Sequence, residues 1–373
     1  MERPRLKIGV LTSTRADFGI YQPLLEELSG QVNLFQTELI VFGTHLSRFH
    51  GYTRSEIEAS SDFPIHEVFG MPLADNPAAI ANAYGSLVSS FSQFWASHTY
   101  DWVLSLGDRY EMSAAVQAGI PQGVRFAHLH GGETTLGAID NIYRHQISLA
   151  ATLHFVATDA FADRVKEITH SDQVYPVGAL SLDNLSKLKL PAWAQVKDKF
   201  DIKADQFALC TFHPETVAYE KNAGYSKEAA EALAQLAKKL PVVITMPNAD
   251  TNGTLFREAF SALKAKSPDR IFLVESFGRL NYFSAMQQAR FLVGNTSSGI
   301  VEAASFQKHV VNVGNRQKGR PQSKNIINAE FDAQAILTAS DKAIEAGTYA
   351  GNNIYHKACS ADLMLKTLAN AAL

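Results

Sequence analysis

A short polar segment in the second half of the chain has the residue types of a phosphate-binding turn. The apolar run Phe291–Gly294 is followed closely by Ser297, Ser298 and Gly299. Hydroxyls and backbone N–H groups at the start of a helix, together with the helix dipole, hold anions such as a diphosphate. About one turn further along the helix, the carboxylate of Glu302 is expected to accept hydrogen bonds from two neighbouring ribose hydroxyls. The segment indicates a bound nucleoside diphosphate, with an ordinary capped helix as the alternative.

The densest group of titratable residues lies between residues 128 and 145. The residues of this group that could transfer protons or bind a ligand are His128, His130, Glu133, Asp140, Arg144 and His145. Two glycines between His130 and Glu133 let the backbone approach a ligand closely. Crowded imidazoles and carboxylates shift each other's pKa values, as proton-transfer groups require. The spacing is not that of zinc enzymes, and the structural alternative is an i,i+4 helix pair of Asp140 with Arg144.

Charged residues also follow two other apolar runs of the first half. Asp108 and Arg109 come directly after Trp102–Gly107, and a buried strand end rarely carries charge without a partner or a task. Arg15 follows the first apolar run, where its permanently charged, forked head suits a phosphate clamp. A solvated surface arginine is the alternative for Arg15.

Two segments of the second half add to this pattern. His213 follows an apolar run and precedes Pro214, which excludes it from a helix. A lone histidine is more often structural, but this one is predicted to face a ligand crevice. Gln317 and Arg320 lie in the run Gly314–Arg320, which has three cations and two glycines and predicts an anion-binding loop.

The elements that must position these residues alternate between strands and helices, which predicts parallel sheets with right-handed crossovers. Strands are predicted at 6–13, 36–43, 101–107, 125–130, 153–158 and 173–178, then at 207–212, 242–246, 271–275, 290–294 and 309–313. Helices are predicted at 23–28, 78–97, 226–239, 254–265, 279–288, 332–346 and 360–373. The polar, proline-containing stretch after residue 184 predicts the passage between two Rossmann-like halves. Ligands of such folds bind at the carboxyl ends of the strands.

Composition excludes several classes of partner. The chain has 373 residues and a net charge of −3, so it fits two domains and offers no polybasic surface for nucleic acid. Cys210 and Cys359 lie far apart and form no ligand pair. The start of the chain does not resemble a signal peptide, and no apolar run is long enough to span a membrane. We therefore expect a soluble, cytoplasmic protein without membrane partners.

Eight segments, in order, resemble the hydrolysing UDP-N-acetylglucosamine 2-epimerases of bacterial sialic acid synthesis. They are Ser13–Asp17, Gly107–Glu111, His128–Glu133, Ile139–Asp140 with Arg144–His145, His213–Thr216, Asn248–Thr251, Asn295–Gly299 and Arg316–Arg320. The resemblance implies the α/β GT-B architecture, with two Rossmann-like domains facing a central cleft. It places the first domain at 1–183, with the helix 356–373 packing back on it, and the UDP-binding domain at 184–355.

The resemblance also implies the reaction. UDP-N-acetylglucosamine and water give UDP and N-acetylmannosamine by elimination to a glycal and hydration, with cationic and dipolar groups at the leaving diphosphate and carboxylates at the sugar. Residues assigned to catalysis are Asp108, Glu133, Asp140 and His213. Residues assigned to substrate or UDP are Arg15, Arg109, His130, Arg144, His145, Asn248, Ser297, Ser298, Gly299, Glu302, Gln317 and Arg320.

Some assignments stay open at this point. Relatives carry a glutamate where this chain has His130, so the general base is Glu133, which we favour, or His130. A homodimer is implied by resemblance only, and no metal or nicotinamide cofactor is expected. The alternative substrate is UDP-N,N′-diacetylbacillosamine, used for legionaminic acid. The remaining alternatives are a GT-B glycosyltransferase and a nucleotide-sugar sensor without catalytic activity. Either would keep the nucleotide-binding residues Ser297–Gly299 and Glu302 but would not need Asp108, Glu133 and Asp140.

Overall fold

A computed structural model describes residues 5–47, 52–70, 77–134, 139–215, 219–247 and 253–371. The chain divides into two compact units. The first comprises Met1–Glu133, Asp140–Leu185 and Tyr355–Leu373, and the second comprises Thr134–Ile139 and Ser186–Ile354. No described helix combines the length and the apolar composition that a bilayer crossing requires.

The first unit is built on a parallel sheet of seven strands among its described residues. In chain order they are β1 (Leu6–Thr12), β2 (Phe35–Val41), β3 (Ile65–Glu67), β4 (Trp102–Leu106), β5 (Phe126–Leu129), β6 (Leu153–Val156) and β7 (Val174–Pro176). Their order across the sheet is β3-β2-β1-β4-β5-β6-β7. Every residue of β4, β5 and β6 is buried, as expected for strands covered by helices on both faces.

Helices connect these strands. They are α1 (Arg15–Gly30), α2 (Arg54–Ser60), α3 (Pro77–Ser97), α4 (Tyr110–Gly119), α5 (Asp140–Ala150) and α6 (Asp159–Thr169). The helix predicted over 23–28 begins earlier than expected, because Thr14 and Asp17 form a capping box that starts α1 ahead of Pro23. Pro23 lies inside the helix.

The described residues of the second unit likewise form a parallel sheet, here of six strands. Its strands are β8 (Ala208–Thr211), β9 (Val242–Thr245), β10 (Ile271–Val274), β11 (Phe291–Gly294), β12 (Val310–Val313) and β13 (Ile326–Ala329), in the order β10-β9-β8-β11-β12-β13. Its helices are α7 (Trp193–Lys199), α8 (Asn222–Lys239), α9 (Gly253–Lys266), α10 (Arg279–Gln288), α11 (Ser297–Val301) and α12 (Ala333–Ala346).

The last helix, α13 (Ser360–Ala371), belongs to the core of the first unit. Met364 and Leu368 are fully buried there, and the indole N–H of Trp102 in β4 donates to the carbonyl of Leu368 at 3.2 Å. The side chain of Asp183 accepts from the backbone N–H of Ala361 at 2.7 Å, which satisfies a donor in the first turn of α13.

Strand order explains where several of the polar segments singled out from the sequence lie. In both sheets the first strand of the unit lies centrally, and the chain later crosses to its other side, between β1 and β4 and between β8 and β11. In doubly wound folds the loops after two such neighbouring strands run in opposite directions, and ligands bind in the crevice between them. The segments singled out by sequence start here, at Ser13, Gly107, Phe212 and Asn295.

The eleven predicted strands are confirmed, but β3 and β13 were missed. β3 has three residues and no fully buried one, and β13 is half-exposed over Ile326–Ala329. Each lies at the edge of its sheet. Short edge strands lack the continuous apolar run that identifies a buried parallel strand.

Candidate functional site

A buried arginine organises the polar residues of the first unit. Arg144, 2% exposed in α5, forms an ion pair with the carboxylate of Asp108 after β4. Its other guanidinium nitrogen donates to the carbonyl of His130 after β5 at 2.6 Å and lies 4.0 Å from Glu133 Oε2. Arg144 therefore connects the ends of β4 and β5 to α5. We call the group of Asp108, His130, Glu133, Asp140 and Arg144 the acid cluster.

Asp140, the first residue of α5, has the titration behaviour of an acid–base group. Burial and then the negative charge of Asp108 raise the pKa of Asp140 to about 6. This carboxyl exchanges its proton close to neutral pH, as a proton-transfer group must. The i,i+4 pair of Asp140 with Arg144 is replaced by the pair of Arg144 with Asp108, so Asp140 keeps its carboxylate free of that bond.

Glu133 and His130 contact each other directly. His130 Nδ1 lies 2.7 Å from Glu133 Oε1, and the Glu133 side chain is only 4% exposed. Gly132, between these two residues, has a φ of +74°, and a Cβ there would lie 2.5 Å from the carbonyl oxygen of Phe161. The glycine was expected to let the backbone approach a ligand, but it lets the backbone pack against α6. This packing fixes the turn that carries His130 and Glu133.

Two predicted ligand-binding residues of the first unit differ in their surroundings. Arg109 donates from Nε and Nη2 to the fully buried carboxylate of Glu111 at 3.1 and 2.9 Å. His145 has a pKa lowered by burial and then by the charges of Arg144 and Arg164. A neutral His145 next to the cluster can donate or accept a hydrogen bond without adding charge.

His128 lies beneath the acid cluster and was not assigned a role from the sequence. Its Nε2 donates to the carbonyl of Gly107 at 2.8 Å, and its Nδ1 accepts from the Ser148 hydroxyl at 3.0 Å. Burial lowers the pKa of His128 to about 3, so the ring is neutral. It holds the Gly107 turn, where φ is +84°, and thereby the residue that follows, Asp108.

A second buried histidine, His154 in β6, costs stability. It is fully buried, its pKa is lowered to about 4 by burial, and neither ring nitrogen has a hydrogen-bond partner among the described residues. Replacing His154 with leucine is expected to raise the free energy of unfolding at pH 7 by about 1–2 kcal/mol, because unsatisfied buried polar atoms are removed.

The increase in the free energy of unfolding from His154→Leu should become larger as pH falls from about 6.5 to 4. In this range His154 binds a proton in the unfolded wild-type chain but not in the folded one. Urea denaturation at pH 5 and pH 8 measures both effects. His356→Leu is the control, because His356 is an exposed histidine of the same unit with an ordinary backbone conformation. A loss of stability in His154→Leu would show that the imidazole is needed where it is.

Arg15 begins α1 with its side chain half exposed, and its NH1 lies 4.0 Å from Glu56. Beneath it, Asp17 accepts from Thr12 and Ser13. Burial by itself would raise the pKa of Asp17, but these hydrogen bonds and the neighbouring His45 lower it below its ordinary value. The result is a rigid, hydrogen-bonded turn that presents an accessible guanidinium.

In the second unit, Asn295 joins the ends of β8 and β11. Its side-chain oxygen accepts from the backbone N–H of His213 at 2.7 Å, and its amide donates back to the His213 carbonyl at 2.8 Å. Gln317, 1% exposed, donates to the Asn295 carbonyl at 2.9 Å. Asn295 was quoted in the sequence motif but not assigned a role. Gln317 supports the turn from below.

His213 is not a cation in this arrangement. Loss of hydration, followed by the charge of Arg316, lowers its pKa to about 3. A neutral imidazole contributes to an anion site as a hydrogen-bond donor only. The loop Gly314–Arg320 is tied to the same strand end, since Glu215 Oε1 accepts from the backbone N–H of Asn315 at 2.9 Å.

The turn after β11 depends on its glycines for packing. Gly294 has a φ of +143°, and a Cβ there would lie 1.9 Å from the carbonyl oxygen of Thr211. A Cβ on Gly299 would meet Val310 of β12 at 3.0 Å, so Gly299 lets α11 pack on the sheet. Thr296 is the N-cap of α11, ahead of Ser297 and Ser298.

Glu302 directly follows the five-residue helix α11 as its C-cap, so it does not lie inside a longer helix as expected. Asn248 lies outside the described residues. Within the described ranges, no three or more His, Cys, Asp or Glu side chains come together in a way that could hold a metal ion.

Comparison with known proteins gives clear matches. The model of a protein family described as UDP-N-acetylglucosamine 2-epimerase matches residues 28–369. A hydrolysing UDP-N,N′-diacetylbacillosamine 2-epimerase of Legionella pneumophila is 33% identical over 352 residues, 94% of this chain and 92% of the relative. A hydrolysing GDP/UDP-N,N′-diacetylbacillosamine 2-epimerase of Campylobacter jejuni is 31% identical, over 87% of this chain and 85% of the relative.

The fold has solved counterparts. The crystal structure of UDP-GlcNAc 2-epimerase from Neisseria meningitidis bound to UDP-GlcNAc matches with a TM-score of 0.80 at 18% identity, covering 98% of this chain and 100% of that one. The predicted fold class is confirmed: two parallel-sheet α/β domains with the GT-B-like fold.

Proposed function

The chain belongs to the UDP-N-acetylglucosamine 2-epimerase family, and on that premise we propose that it cleaves a UDP-linked 2-acetamido sugar into UDP and the free sugar, inverted at carbon 2. The observation that carries the proposal is the acid cluster, where Asp140 has a pKa of about 6 next to Asp108 and the Glu133–His130 pair. A nucleotide-sugar sensor or an ordinary glycosyltransferase needs no such group.

The first step is an elimination. The carbon 2 proton becomes acidic only as the bond from carbon 1 to the UDP oxygen breaks and positive charge develops at carbon 1. The Glu133–His130 pair removes the proton, its electrons form the carbon 1–carbon 2 double bond, and UDP leaves. The negative charge of Asp108 stabilises the positive charge at carbon 1.

The second step adds water to the glycal. Oxygen attaches to carbon 1, and a proton must reach carbon 2 from the face opposite to the one it left. Asp140 is the group best suited to deliver this proton, because its raised pKa keeps a protonated fraction near neutral pH. Two proton-transfer groups with different roles therefore account for inversion.

The second unit supplies the UDP site in this proposal. The N-terminus of α11 with Ser297 and Ser298 receives the diphosphate, Arg320 adds positive charge, and the neutral His213 donates a hydrogen bond. We assign Glu302, directly after α11, to accept hydrogen bonds from the ribose hydroxyls. Rigid support from Asn295 keeps these groups preorganised.

Two substrates are candidates. UDP-N-acetylglucosamine was predicted from the sequence motifs, and the solved Neisseria structure is bound to it. Two relatives, 33% and 31% identical to this chain, are named for diacetylbacillosamine, which favours UDP-N,N′-diacetylbacillosamine as the second candidate. Both carry the 2-acetamido group and the anomeric UDP that the acid cluster and the UDP site require.

Parallel assays of the purified chain with both UDP-sugars in D₂O test the proposal. We expect UDP release from at least one of them, a free sugar inverted at carbon 2, and one deuterium at that carbon by NMR. A product still attached to UDP, or no release from either sugar, would reject the hydrolysing reaction.

A further inference from the structure

We propose that Nε2 of His130 removes the carbon 2 proton, and that Glu133 is a positioning residue that acts through His130. The inference rests on the proposed function and assigns its general base. The sequence favoured Glu133 as the general base. The structure favours His130, because Glu133 Oε1 is hydrogen-bonded to His130 Nδ1 and His130 Nε2 is not part of that contact.

The contact between the two side chains defines the tautomer. His130 Nδ1 and Glu133 Oε1 are 2.7 Å apart, so a neutral ring places its hydrogen on Nδ1 and donates it to the carboxylate. The lone pair is then on Nε2. This nitrogen makes no hydrogen bond to any residue in the described part of the chain, and it is not among the buried side-chain atoms that lack a partner, so it is accessible to a reacting group.

Accessibility separates the two candidates further. The side chain of His130 is 15% exposed, whereas that of Glu133 is 4% exposed. Glu133 Oε1 is occupied by the imidazole, and Oε2 lies 4.0 Å from the guanidinium of Arg144. A carboxylate enclosed in this way is better placed to orient and stabilise an imidazolium than to meet a sugar carbon, as in the general Ser-His-Asp arrangement.

The backbone of His130 is held in an unusual conformation that aims the ring. Its φ is +62°, a left-handed value that is unfavourable for a residue with a Cβ. Two hydrogen bonds hold it, from the His130 N–H to the carbonyl of Phe155 at 2.9 Å and from Arg144 to the His130 carbonyl at 2.6 Å. Strain maintained by its surroundings is typical of a functional position.

The step balances without another reactant. The Nε2 lone pair takes the carbon 2 proton, the C–H electrons form the double bond to carbon 1, and the carbon 1–oxygen bond electrons leave with UDP. The imidazolium is stabilised by the Glu133 carboxylate until water takes the proton. Removing the Glu133 charge should therefore slow the step without removing the base.

Chemical rescue provides the decisive experiment. His130→Gly removes the imidazole but suits the positive φ, so the turn is preserved. We expect UDP release to fall by about 10²–10⁴-fold and to recover at least tenfold when imidazole is added. Pyrrole, a ring of the same size without a basic nitrogen, should not restore it. Recovery should be slower for substrate deuterated at carbon 2.

Two further variants keep the test conclusive. His130→Asn tolerates the left-handed backbone and keeps a polar group beside Glu133, yet has no base, so it should be as inactive as His130→Gly. The double variant with Glu133→Gln should show weaker imidazole rescue. UDP binding, measured by calorimetry, should be unchanged in all of them.

The inference is overturned if His130→Gly or His130→Asn retains more than about a tenth of the wild-type rate, a loss too small for a missing general base. It is also overturned if imidazole leaves the rate of His130→Gly unchanged while Glu133→Gln is inactive. A wild-type chain inactive on both UDP-sugars would instead reject the proposed function, so the two failures are distinguishable.

Discussion

Replacing Asp108 with asparagine is expected to lower the rate of UDP release by about 10²–10⁴-fold. Two losses combine in this variant. The negative charge that stabilises carbon 1 disappears, and the nearly buried Arg144 loses the carboxylate of its ion pair, with Glu133 remaining 4.0 Å away. Removing one partner of a buried pair costs more than the pair itself contributed.

A second signature accompanies the lost rate of Asp108→Asn. The charge of Asp108 is one of the causes that raise the pKa of Asp140, so in the variant that pKa should fall from about 6 towards its ordinary value while burial still holds it up. The pH dependence of residual turnover, measured as UDP release between pH 4.5 and 9, should shift to lower pH.

The matched control is Asp172→Asn, an exposed carboxylate of the same unit, which should behave like wild type. Undiminished turnover in Asp108→Asn would contradict the proposed reaction and favour a protein that only binds the nucleotide sugar.

Replacing Asp140 with asparagine is expected to block the second step more than the first. Without a group to return the proton to carbon 2, the variant should release UDP together with an unhydrated glycal, and formation of the free sugar should fall by about 10²–10⁴-fold. Mass spectrometry of the products, next to a UDP assay, separates the two steps.

The same variant should be more stable than wild type at high pH. The folded pKa of Asp140 is about 6, above its ordinary value of 3.8, so the folded protein holds a proton that the unfolded chain has lost. Wild-type stability therefore falls as pH rises from about 4 to 6, and the full penalty remains above pH 6. Removing the carboxylate should recover about 1–2 kcal/mol at pH 8 and nothing at pH 4.

Asp159→Asn is the control for this variant, because Asp159 also begins a helix of the first unit but is exposed. It should change neither the product ratio nor the pH dependence of unfolding. If Asp140→Asn forms the inverted free sugar at the wild-type rate, Asp140 does not return the proton.

Much of the architecture could be predicted from the sequence because the signals are local. A buried parallel strand is a continuous apolar run, and polar residues directly after it mark the sheet edge where ligands bind. This logic located β4, β5, β8 and β11 and the polar segments that follow them. It did not detect the edge strands β3 and β13 or the start of α1 ahead of Pro23, where length, exposure and capping replace apolar periodicity.

The contacts inside the acid cluster were not predictable in the same way. Sequence spacing suggested a helix pair of Arg144 with Asp140, whereas the fold pairs Arg144 with Asp108, which is distant in sequence. Residues close in sequence are not always the closest in space. Here the carboxylate of Asp108, at the end of a neighbouring strand, forms the ion pair with Arg144.

By itself the sequence determined the two-domain α/β class, the order of the elements and the polar segments that directly follow strands, because apolar periodicity and strand ends are properties of short stretches of chain. The tertiary structure alone decided that Glu133 is enclosed beside His130 and that His213 is neutral. Dihedral angles, burial and the charges of distant neighbours set those properties, and no spacing along the chain encodes them.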